Sequence, residues 1–343
     1  MGSRNNNNKK SKNNKKKRPK PKPLDTKTKN PKNNFDFGFN FVSEAGPGCY
    51  IARRDLFPSL PEWGMLEWED VDPEDFVGQE VPELAIDPEE HTLSVCNTRD
   101  EFIIAYITVY ETNLLGQQGQ IIPFGSTTNN EGETRDCITF IVLCPPNVFA
   151  HLCYMDVPEG KDLFQDVDIE SDVQEWNRHP DPSASHSQPI GFPLQGGPFL
   201  CTQGVGGQLT HFFAGNLHAI DFRCPVGTSL LAVGDGVVLQ AKDENILTGI
   251  AVSNLFEWNA ILIQLDQQPE YEKDGPLFVE YVHIRKSLVK VGDRVTRDQI
   301  IGESGSVGFS PEPHLHFAAY KSKEDTAATV QVHFQSSSAG EAA

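Results

Sequence analysis

The feature that most constrains the fold of this sequence is a succession of short apolar runs separated by Gly and Pro. Beyond about residue 188, examples are Ala260–Leu265, Phe278–Ile284, His314–Tyr320 and Val330–Phe334. Runs of this length between turn residues are typical of β-strands. Almost no stretch has the helical period that a βαβ crossover requires, so the sequence predicts an antiparallel all-β fold rather than a parallel α/β sheet.

The first half of the chain contains runs of the same kind. They include Phe102–Tyr110, Cys137–Leu143 and Val148–Tyr154. These runs predict an all-β domain over residues 35–165, with a sandwich architecture and an unknown role. The acidic, proline-rich segment Asp55–Glu89 has no strong period, and we expect it to be a long excursion on the surface.

Composition divides the 343 residues into a tail, two domains, a linker and a short C-terminus, since a chain of this length can bury two cores. The predicted segments are a disordered tail at 1–34, an all-β domain at 35–165, a linker at 166–187, a second all-β domain at 188–335 and a flexible C-terminus at 336–343. Polar, acidic and Pro-containing composition indicates the linker.

Four histidines carry no catalytic pattern. His179 and His186 lie in the predicted linker, where we expect them to be solvated, and His91 and His151 stand alone in the first domain. A lone histidine near apolar residues is usually a structural or surface group, so these residues are not candidates for a site.

Charge is distributed very unevenly along the chain. Residues 1–34 hold 13 Lys and Arg and a single acid, which gives +12, whereas the remainder holds 16 basic and 47 acidic residues, which gives −31. An Asn, Lys and Pro-rich tail cannot bury enough surface to fold, so it is predicted to be disordered. An acidic body argues against nucleic acid as a partner, because binding requires clustered cations.

Membrane and export signals are missing from the pattern. No apolar run of about 7 to 15 residues follows the basic start, and none approaches the ~18 to 20 residues of a transmembrane helix. The expectation is therefore a cytoplasmic or nuclear protein, with non-classical export as the alternative. The oligomeric state cannot be read from the sequence.

The cysteines indicate neither a disulfide framework nor a cysteine-based metal site. They are Cys49, Cys96, Cys137, Cys144, Cys153, Cys201 and Cys224. Their number is odd and none forms a C-x-x-C pair, which excludes a zinc ribbon and a thioredoxin-like motif. We expect reduced thiols, several of them buried as small hydrophobic groups.

The sharpest chemical signal is the run Pro313-His314-Leu315-His316-Phe317. Side chains two apart on a strand project from the same face, so both imidazoles can reach one point. A chance His-x-His is the alternative.

A carboxylate upstream completes a metal-binding pattern. In the run Ala219-Ile220-Asp221-Phe222, the apolar residues would pack inward and Asp221 would lie on the open face. A catalytic zinc usually has three protein ligands and one open position, and histidine and carboxylate suit it. An unpaired surface aspartate is the alternative.

Eight motifs together resemble one protein family. They are Gly191–Leu194, Gln203–His211, His218–Thr228, Ala232–Val238, Tyr281–Ile284, Val289–Val295, Ile301–Gly308 and Pro313–Phe317. In order and spacing they resemble the lysostaphin/LytM zinc endopeptidases, which act on peptidoglycan and have the duplicated hybrid motif β fold. The resemblance covers roughly residues 188–334.

The resemblance implies a role for each matching residue. His316 corresponds to the third ligand of one zinc ion and Asp221 to the second. His314 corresponds to the catalytic histidine, and His283 to a second active-site histidine that does not bind the metal. The last two form the implied acid/base and oxyanion-stabilising pair, and the zinc would lower the pKa of its water toward ~7.

The first ligand departs from the best-known family pattern, in which a histidine stands four residues before the aspartate. Leu217 occupies that position here, and His218 and His211 are the two candidates. His218 would face the side of a strand opposite to Asp221. His211 ends a segment similar to that of a family branch in which the ligand histidine lies farther upstream of the aspartate. We therefore prefer His211.

Three functions remain open at this stage. The first is a zinc metalloendopeptidase that cleaves peptidoglycan cross-bridges or stem peptides. The second is a zinc endopeptidase with a protein substrate, and the third is a LytM-like domain that only binds. The presence of all five site residues argues against the third. The glycine-rich loop Gly302–Gly308 is expected to border the substrate groove.

Overall fold

The structure is a computed structural model that describes residues 48–53, 67–76, 81–116, 119–158, 160–176, 181, 183–206, 210–211, 215–324 and 327–335. The predicted tail, the predicted flexible C-terminus and His179 lie outside the described residues. All described residues belong to one compact unit. We call residues 48–176 the N-terminal half and residues 181–335 the C-terminal half.

The N-terminal half consists mainly of strands. They are β1 Cys49–Arg53, β2 Glu67–Asp70, β3 Leu84–Asp87, β4 Thr92–Asn97, β5 Phe102–Tyr110, β6 Asn113–Leu115, β7 Gly125–Thr128, β8 Thr134–Cys144, β9 Val148–Asp156 and β10 Asp168–Trp176. A 3-10 helix covers Pro73–Phe76, and the short helix α1 covers Leu163–Asp166, where the Asp162 side chain accepts from the Phe164 amide as its N-cap.

Strands also dominate the C-terminal half. They are β11 Leu200–Gln203, β12 Ile220–Arg223, β13 Ser229–Leu231, β14 Gly236–Lys242, β15 Thr248–Gly249, β16 Ala260–Leu265, β17 Phe278–Val282, β18 Lys286–Ser287, β19 Arg294–Val295, β20 Ile300–Glu303, β21 Gly308–Phe309 and β22 His314–Tyr320. Two 3-10 helices cover Val252–Asn254 and Pro269–Asp274. The all-β prediction is confirmed for the described residues.

Two sheets of the N-terminal half pack face to face. One has the order β10-β5-β8-β7, with β1 added beside β8, and the other has the order β2-β9-β4-β3, with β6 added beside β9. Alternate residues of β5, such as Ile103, Ile107 and Val109, meet Leu93 of β4 and Leu152 of β9 in a shared core. This is the sandwich that the sequence predicts.

The C-terminal half has its own sheet and its own core. The order of this sheet is β11-β12-β22-β17-β16-β14-β19, with antiparallel pairing throughout. Tyr281 and Phe317 lie at the centre of its core, with ring centroids 5.3 Å apart. A smaller sheet, β13-β20-β18, adds Leu230 and Ile301 to the same core. The opposite face of β22 is left free for polar side chains.

One sheet runs through both halves. Strand β15 pairs with β7 antiparallel and with β21 parallel, so the sheet of the sandwich continues as β10-β5-β8-β7-β15-β21. A third apolar cluster fills the junction, where Tyr106 and Ile141 of the sandwich meet Ile250, Val252 and Phe309. Strand β5 is therefore buried on both of its faces.

The predicted linker differs from the structure. Residues Asp168–Trp176 form strand β10 and pair with β5 over their whole length. Ile169 and Val173 pack against the sandwich core, whereas Glu170 between them accepts from the Ser253 amide of the C-terminal half. The strand lies at the edge of its sheet.

Two smaller expectations also differ from the structure. His186 was expected to be solvated, but it is fully buried, with Nε2 3.1 Å from the Gly275 carbonyl oxygen and Nδ1 accepting from the Gln188 amide. The run Val330–Phe334 makes isolated bridges rather than a strand. Gly275 and the bridge partners Ser185 and Ile190 lie far away in the sequence from the groups that they contact.

The cysteines are free thiols, and all of them are buried except Cys201, which is exposed. Burial raises the pKa of the Cys49 thiol to about 12, which keeps it protonated and inert. In the described part of the chain, no helix is long and apolar enough to cross a membrane.

Candidate metal centre

Asp221 and His316 face each other across two neighbouring strands. Strand β12 pairs antiparallel with β22, and the register sets Asp221 directly opposite His316. Apolar residues alternate with them, so Phe222 and Leu315 point into the core. His316 Nδ1 consequently lies 2.9 Å from Asp221 Oδ1.

His211 reaches the same point from the connection between β11 and β12. Its Nε2 lies 3.3 Å from Asp221 Oδ1 and 3.3 Å from His316 Nδ1. Its Nδ1 is 3.1 Å from the Gly204 carbonyl oxygen, which can only accept a hydrogen bond. The proton of the neutral imidazole is therefore on Nδ1, and the lone pair of Nε2 faces the other two side chains.

The donor set fits a divalent metal ion. The three ligand atoms lie within 4.8 Å of one another, and zinc bonds of about 2.0–2.2 Å put the ligand atoms of a tetrahedral site about 3.3–3.6 Å apart. All three side chains are buried. Within the described residues, Asp221 makes no ion pair with Lys or Arg, so a bound cation would balance its charge.

Gln203 joins the Asp221 carboxylate to the segment between β11 and β12 that carries His211, and no role was predicted for it from the sequence. Its Nε2 donates to Asp221 Oδ2 at 2.8 Å, while its Oε1 accepts from the amides of Thr210 at 2.8 Å and His211 at 3.3 Å. The side chain is buried at the end of β11. No local sequence pattern marks this residue.

His218 lies outside this cluster. Its Nδ1 is 2.9 Å from the Thr329 carbonyl oxygen, and its amide donates to Thr329 Oγ1. Strand β12 begins two residues later, at Ile220. The geometry thus brings His211, and not His218, to Asp221 and His316.

His283 and His314 lie beside the three candidate ligands. Their ring centroids are 4.7 Å apart, and His314 Nε2 is 3.7 Å from Asp221 Oδ1. His283 Nδ1 lies 2.7 Å from the Val307 carbonyl oxygen, and His314 Nδ1 lies 2.7 Å from that of Glu312. Both imidazoles carry their proton on Nδ1 when neutral, and each has a lone pair on Nε2.

The backbone of His283 is unusual. Its φ is +62°, in the left-handed region that β-carbon-bearing residues seldom adopt. This conformation lies directly after β17, which ends at Val282. It turns the chain away from the strand while the imidazole stays buried beside the cluster.

Burial and mutual interaction set the protonation states. Burial alone would raise the pKa of Asp221, but His211 and His314 hold it well below its usual range. Burial lowers the pKa of His283 well below its usual range, and charge on His314 or His316 lowers it further. Burial also lowers the pKa of His316, although Asp221 opposes the shift. Asp221 therefore favours its ionised form, and His283 and His316 favour their neutral forms.

The cluster lies in an open groove with a volume of about 790 Å³. Leu262, Glu280 and Tyr320 of the C-terminal sheet line it, and the Tyr320 hydroxyl donates to Glu280 at 3.1 Å. Tyr106 and Gln174 of the N-terminal half line the same groove. Both halves therefore contribute to the surface that a substrate would meet.

A family model described as Peptidase family M23 matches residues 215–328. The match contains Asp221, His283, His314 and His316, whereas His211 precedes it. The assignment of His211 therefore depends on the geometry and on the earlier resemblance.

Several characterised proteins are similar to the same region. Glycyl-glycine endopeptidase ALE-1 of Staphylococcus capitis is 39% identical over 103 residues, which are 30% of this chain and 24% of that protein. Lysostaphin of Staphylococcus simulans is 36% identical over 104 residues, covering 30% and 18%. Peptidoglycan DD-endopeptidase ShyA of Vibrio cholerae is 33% identical over 97 residues, covering 28% and 18%. The matches thus span a quarter or less of each relative.

The chain was also compared with solved structures. The catalytic domain of lysostaphin from Staphylococcus simulans is 31% identical, covers 41% of this chain and 86% of that one, and has a TM-score of 0.27. A zinc-containing peptidase from Vibrio cholerae is 23% identical, covers 42% and 37%, and has a TM-score of 0.23.

Proposed function

We propose that the C-terminal half, which is of the lysostaphin/LytM type of peptidase family M23, is a zinc-dependent metalloendopeptidase. Its substrate would be the cross-bridges or stem peptides of peptidoglycan, the polymer named for the ShyA relative. The observation that carries the proposal is the meeting of one carboxylate oxygen and two imidazole nitrogens, all buried, from separate elements of the fold.

His211, Asp221 and His316 would hold the ion, through Nε2, a carboxylate oxygen and Nδ1 respectively. A bound zinc ion supplies a Lewis acid that activates water and polarises a carbonyl group. The ionised state of Asp221 and the neutral state favoured for His316 are the forms that bind metals.

His314 is the proposed general base. Its Nε2 has a free lone pair and lies on the groove side of Asp221, 3.7 Å from Oδ1. The Glu312 carbonyl oxygen holds Nδ1 and fixes the ring, so that Nε2 can take a proton from the attacking water.

His283 is the proposed partner at the carbonyl oxygen of the substrate. With its lowered pKa it is neutral at rest, and Nε2 then accepts rather than donates. A developing negative charge nearby raises that pKa, so the imidazole can take up the proton that His314 removed from the water, the two ring centroids being 4.7 Å apart. In this form it donates to the oxyanion and can pass the proton to the leaving amine.

The test combines metal analysis with digestion of purified cell walls. The parent protein is expected to bind one zinc ion per chain and to release soluble peptide fragments that mass spectrometry identifies. His316→Ala should lose both properties. His91→Asn is the matched control, because His91 is a histidine of the N-terminal half outside the cluster.

Other results would assign the remaining functions. Stoichiometric zinc with cleavage of denatured protein but not of cell walls would indicate a protein substrate. Zinc with binding to cell walls but no cleavage of any peptide would indicate a binding domain. Absence of zinc in the parent, after purification without chelators, would contradict the proposal.

A further inference from the structure

The segment between β20 and β22, residues 304–310, contacts the Nδ1 atom of both histidines of the proposed acid/base pair. The Val307 carbonyl oxygen accepts from His283 Nδ1 at 2.7 Å. Ser310 Oγ lies 3.3 Å from His314 Nδ1 and donates to the Glu312 carbonyl oxygen, the other partner of that ring. The position of this segment therefore decides where each Nε2 points.

Strand β15 holds this segment in turn. The amide of Gly308 donates to the Leu247 carbonyl oxygen at 3.0 Å, and the amide of Ser310 donates to that of Gly249 at 2.8 Å. Thr248 Oγ1 donates to the Ser306 carbonyl oxygen and lies 3.3 Å from Ser306 Oγ. Residues 306, 308 and 310 of the segment are thus tied to β15 and to Leu247, the residue before it.

The N-terminal half holds β15. Thr248 and Gly249 pair with Thr128 and Thr127 of β7, and Thr127 Oγ1 donates to the Thr248 carbonyl oxygen at 3.1 Å. Just before the strand, Asn130 Oδ1 accepts from two successive amides, those of residues 246 and 247. Each of these contacts joins residues more than a hundred positions apart.

Buried polar contacts continue the attachment beyond β15. Thr139 Oγ1 of β8 donates to the Ile250 carbonyl oxygen at 2.6 Å, and the Val252 amide donates to Thr108 Oγ1 of β5 at 3.0 Å. The two threonine hydroxyls are themselves 2.7 Å apart and fully buried. Hydrogen bonds of this kind are costly to break because their partners cannot reach water.

We propose that the N-terminal half positions the acid/base pair of the catalytic centre. Thr248 and Gly249 are the positioning residues, because they connect the N-terminal half to the segment that orients His283 and His314. The inference rests on the proposed function. The three candidate ligands have other supports: the β12–β22 register sets Asp221 and His316, and His211 is held by Gln203 and the Gly204 carbonyl oxygen. Loosening β15 should therefore misplace the histidine pair and leave the metal in place.

Gly249 allows a sharp test. Its φ is +110°, and an added Cβ would lie 2.3 Å from the Ser126 carbonyl oxygen and 2.6 Å from Thr127 Cα, so Gly249→Ala must push β15 away from β7. Gly275 also has a positive φ, of +81°, but has open space around its Cβ position. Gly275→Ala therefore imposes the backbone cost without the displacement.

The experiment uses the full chain loaded with zinc. Gly249→Ala is expected to lower kcat about tenfold or more, because small misplacements of acid/base groups are costly. Its KM should stay within about twofold and its zinc content should match the parent. Gly275→Ala should resemble the parent in all three quantities. Equal kcat in the two alanine variants would overturn the inference, as would a loss of zinc that parallels the loss of kcat in Gly249→Ala.

A second pair of variants covers the case in which Gly249→Ala does not fold. Thr248→Val removes the hydroxyl that holds the Ser306 carbonyl and keeps the shape, whereas Thr248→Ser keeps the hydroxyl. A lower kcat in Thr248→Val that Thr248→Ser largely restores supports the positioning role. Equal losses in both variants, or a loss in neither, contradict it.

A readout without turnover separates this inference from the proposed function. In full chain labelled with ¹⁵N-histidine, Thr248→Val should shift the imidazole signals of His283 and His314 and leave those of His211 and His316 in place. This holds even if the parent cleaves nothing, in which case only the proposed function fails. If the signals of His283 and His314 did not move, this inference would be wrong and the proposed function would be unaffected.

Discussion

The three candidate ligands and the histidine pair share one groove, but they are fixed by different parts of the molecule. Asp221 and His316 owe their separation to the pairing of two adjacent strands. His283 and His314 owe their orientation to residues 304–310, which are attached through β15 to the sandwich. The separation of two candidate metal ligands can thus be set within one sheet, whereas the orientation of the acid/base pair depends on a distant part of the chain.

Removing the Asp221 carboxylate should have the largest effect on zinc binding and on cleavage. Asp221→Asn takes away the negative ligand at the centre of the cluster, so we expect loss of stoichiometric zinc and loss of measurable cleavage. Metal analysis and peptide release measure both. Asp266→Asn, which removes an exposed carboxylate paired with Arg294, is the control and should change neither. Full zinc content in Asp221→Asn would show that the ligand set is assigned wrongly.

Removing either histidine of the pair should separate chemistry from metal binding. His314→Ala and His283→Ala should each lower kcat by about 10²- to 10⁴-fold, the usual contribution of a general acid or base. Their zinc content should equal that of the parent. If either variant kept full kcat, that residue would have no role in the reaction, and if either lost its zinc, the separation between the two groups would disappear.

Gln203 tests whether the ligand group has its own support. Gln203→Leu removes the contacts to Asp221 and to the connection that carries His211, so we expect zinc affinity to fall about 10- to 100-fold, as for other residues that orient ligands. Competition with a chelator measures the affinity. At saturating zinc, kcat should return close to the parent value, and a persistent loss would place Gln203 in the chemistry instead.

His218 should give the smallest effect. His218→Ala removes the contact with the Thr329 carbonyl oxygen, and we expect a loss of about 1–3 kcal/mol in the free energy of unfolding. Zinc content and kcat should not change, whereas His211→Ala should abolish zinc binding. Chemical denaturation and metal analysis of the two variants decide between them, and the opposite pattern would make His218 the ligand.

Much of the metal centre could be predicted because it depends on local geometry. The period of two along a strand sets His314 and His316 on one face. Parity does not apply to His218, which lies before β12 and contacts Thr329 instead. The resemblance located His283, which no spacing argument could reach. Gln203 was missed because an amide on a short strand has no distinctive pattern, and its role appears only when its partners are brought together.

The junction between the halves was missed for a different reason. The apolar residues of Phe102–Tyr110 are continuous rather than alternating, which indicates a strand buried on both faces. The prediction of a sandwich named no element that covers the second face of this strand. Residues 166–187 were interpreted from their polar, acidic and Pro-containing composition, which overlooked the alternation of Ile169 and Val173 that marks β10. Strand pairing across more than a hundred residues has no local signal.

The left-handed backbone of His283 places stability and chemistry in opposition at one position. A residue with a β-carbon pays roughly 1–2 kcal/mol in this region, and glycine does not. His283→Gly would relax the main chain while removing the imidazole. Glycine would also empty a buried site and lose the contact with the Val307 carbonyl oxygen, so the strain at this turn persists because the contacts of the imidazole hold it in place.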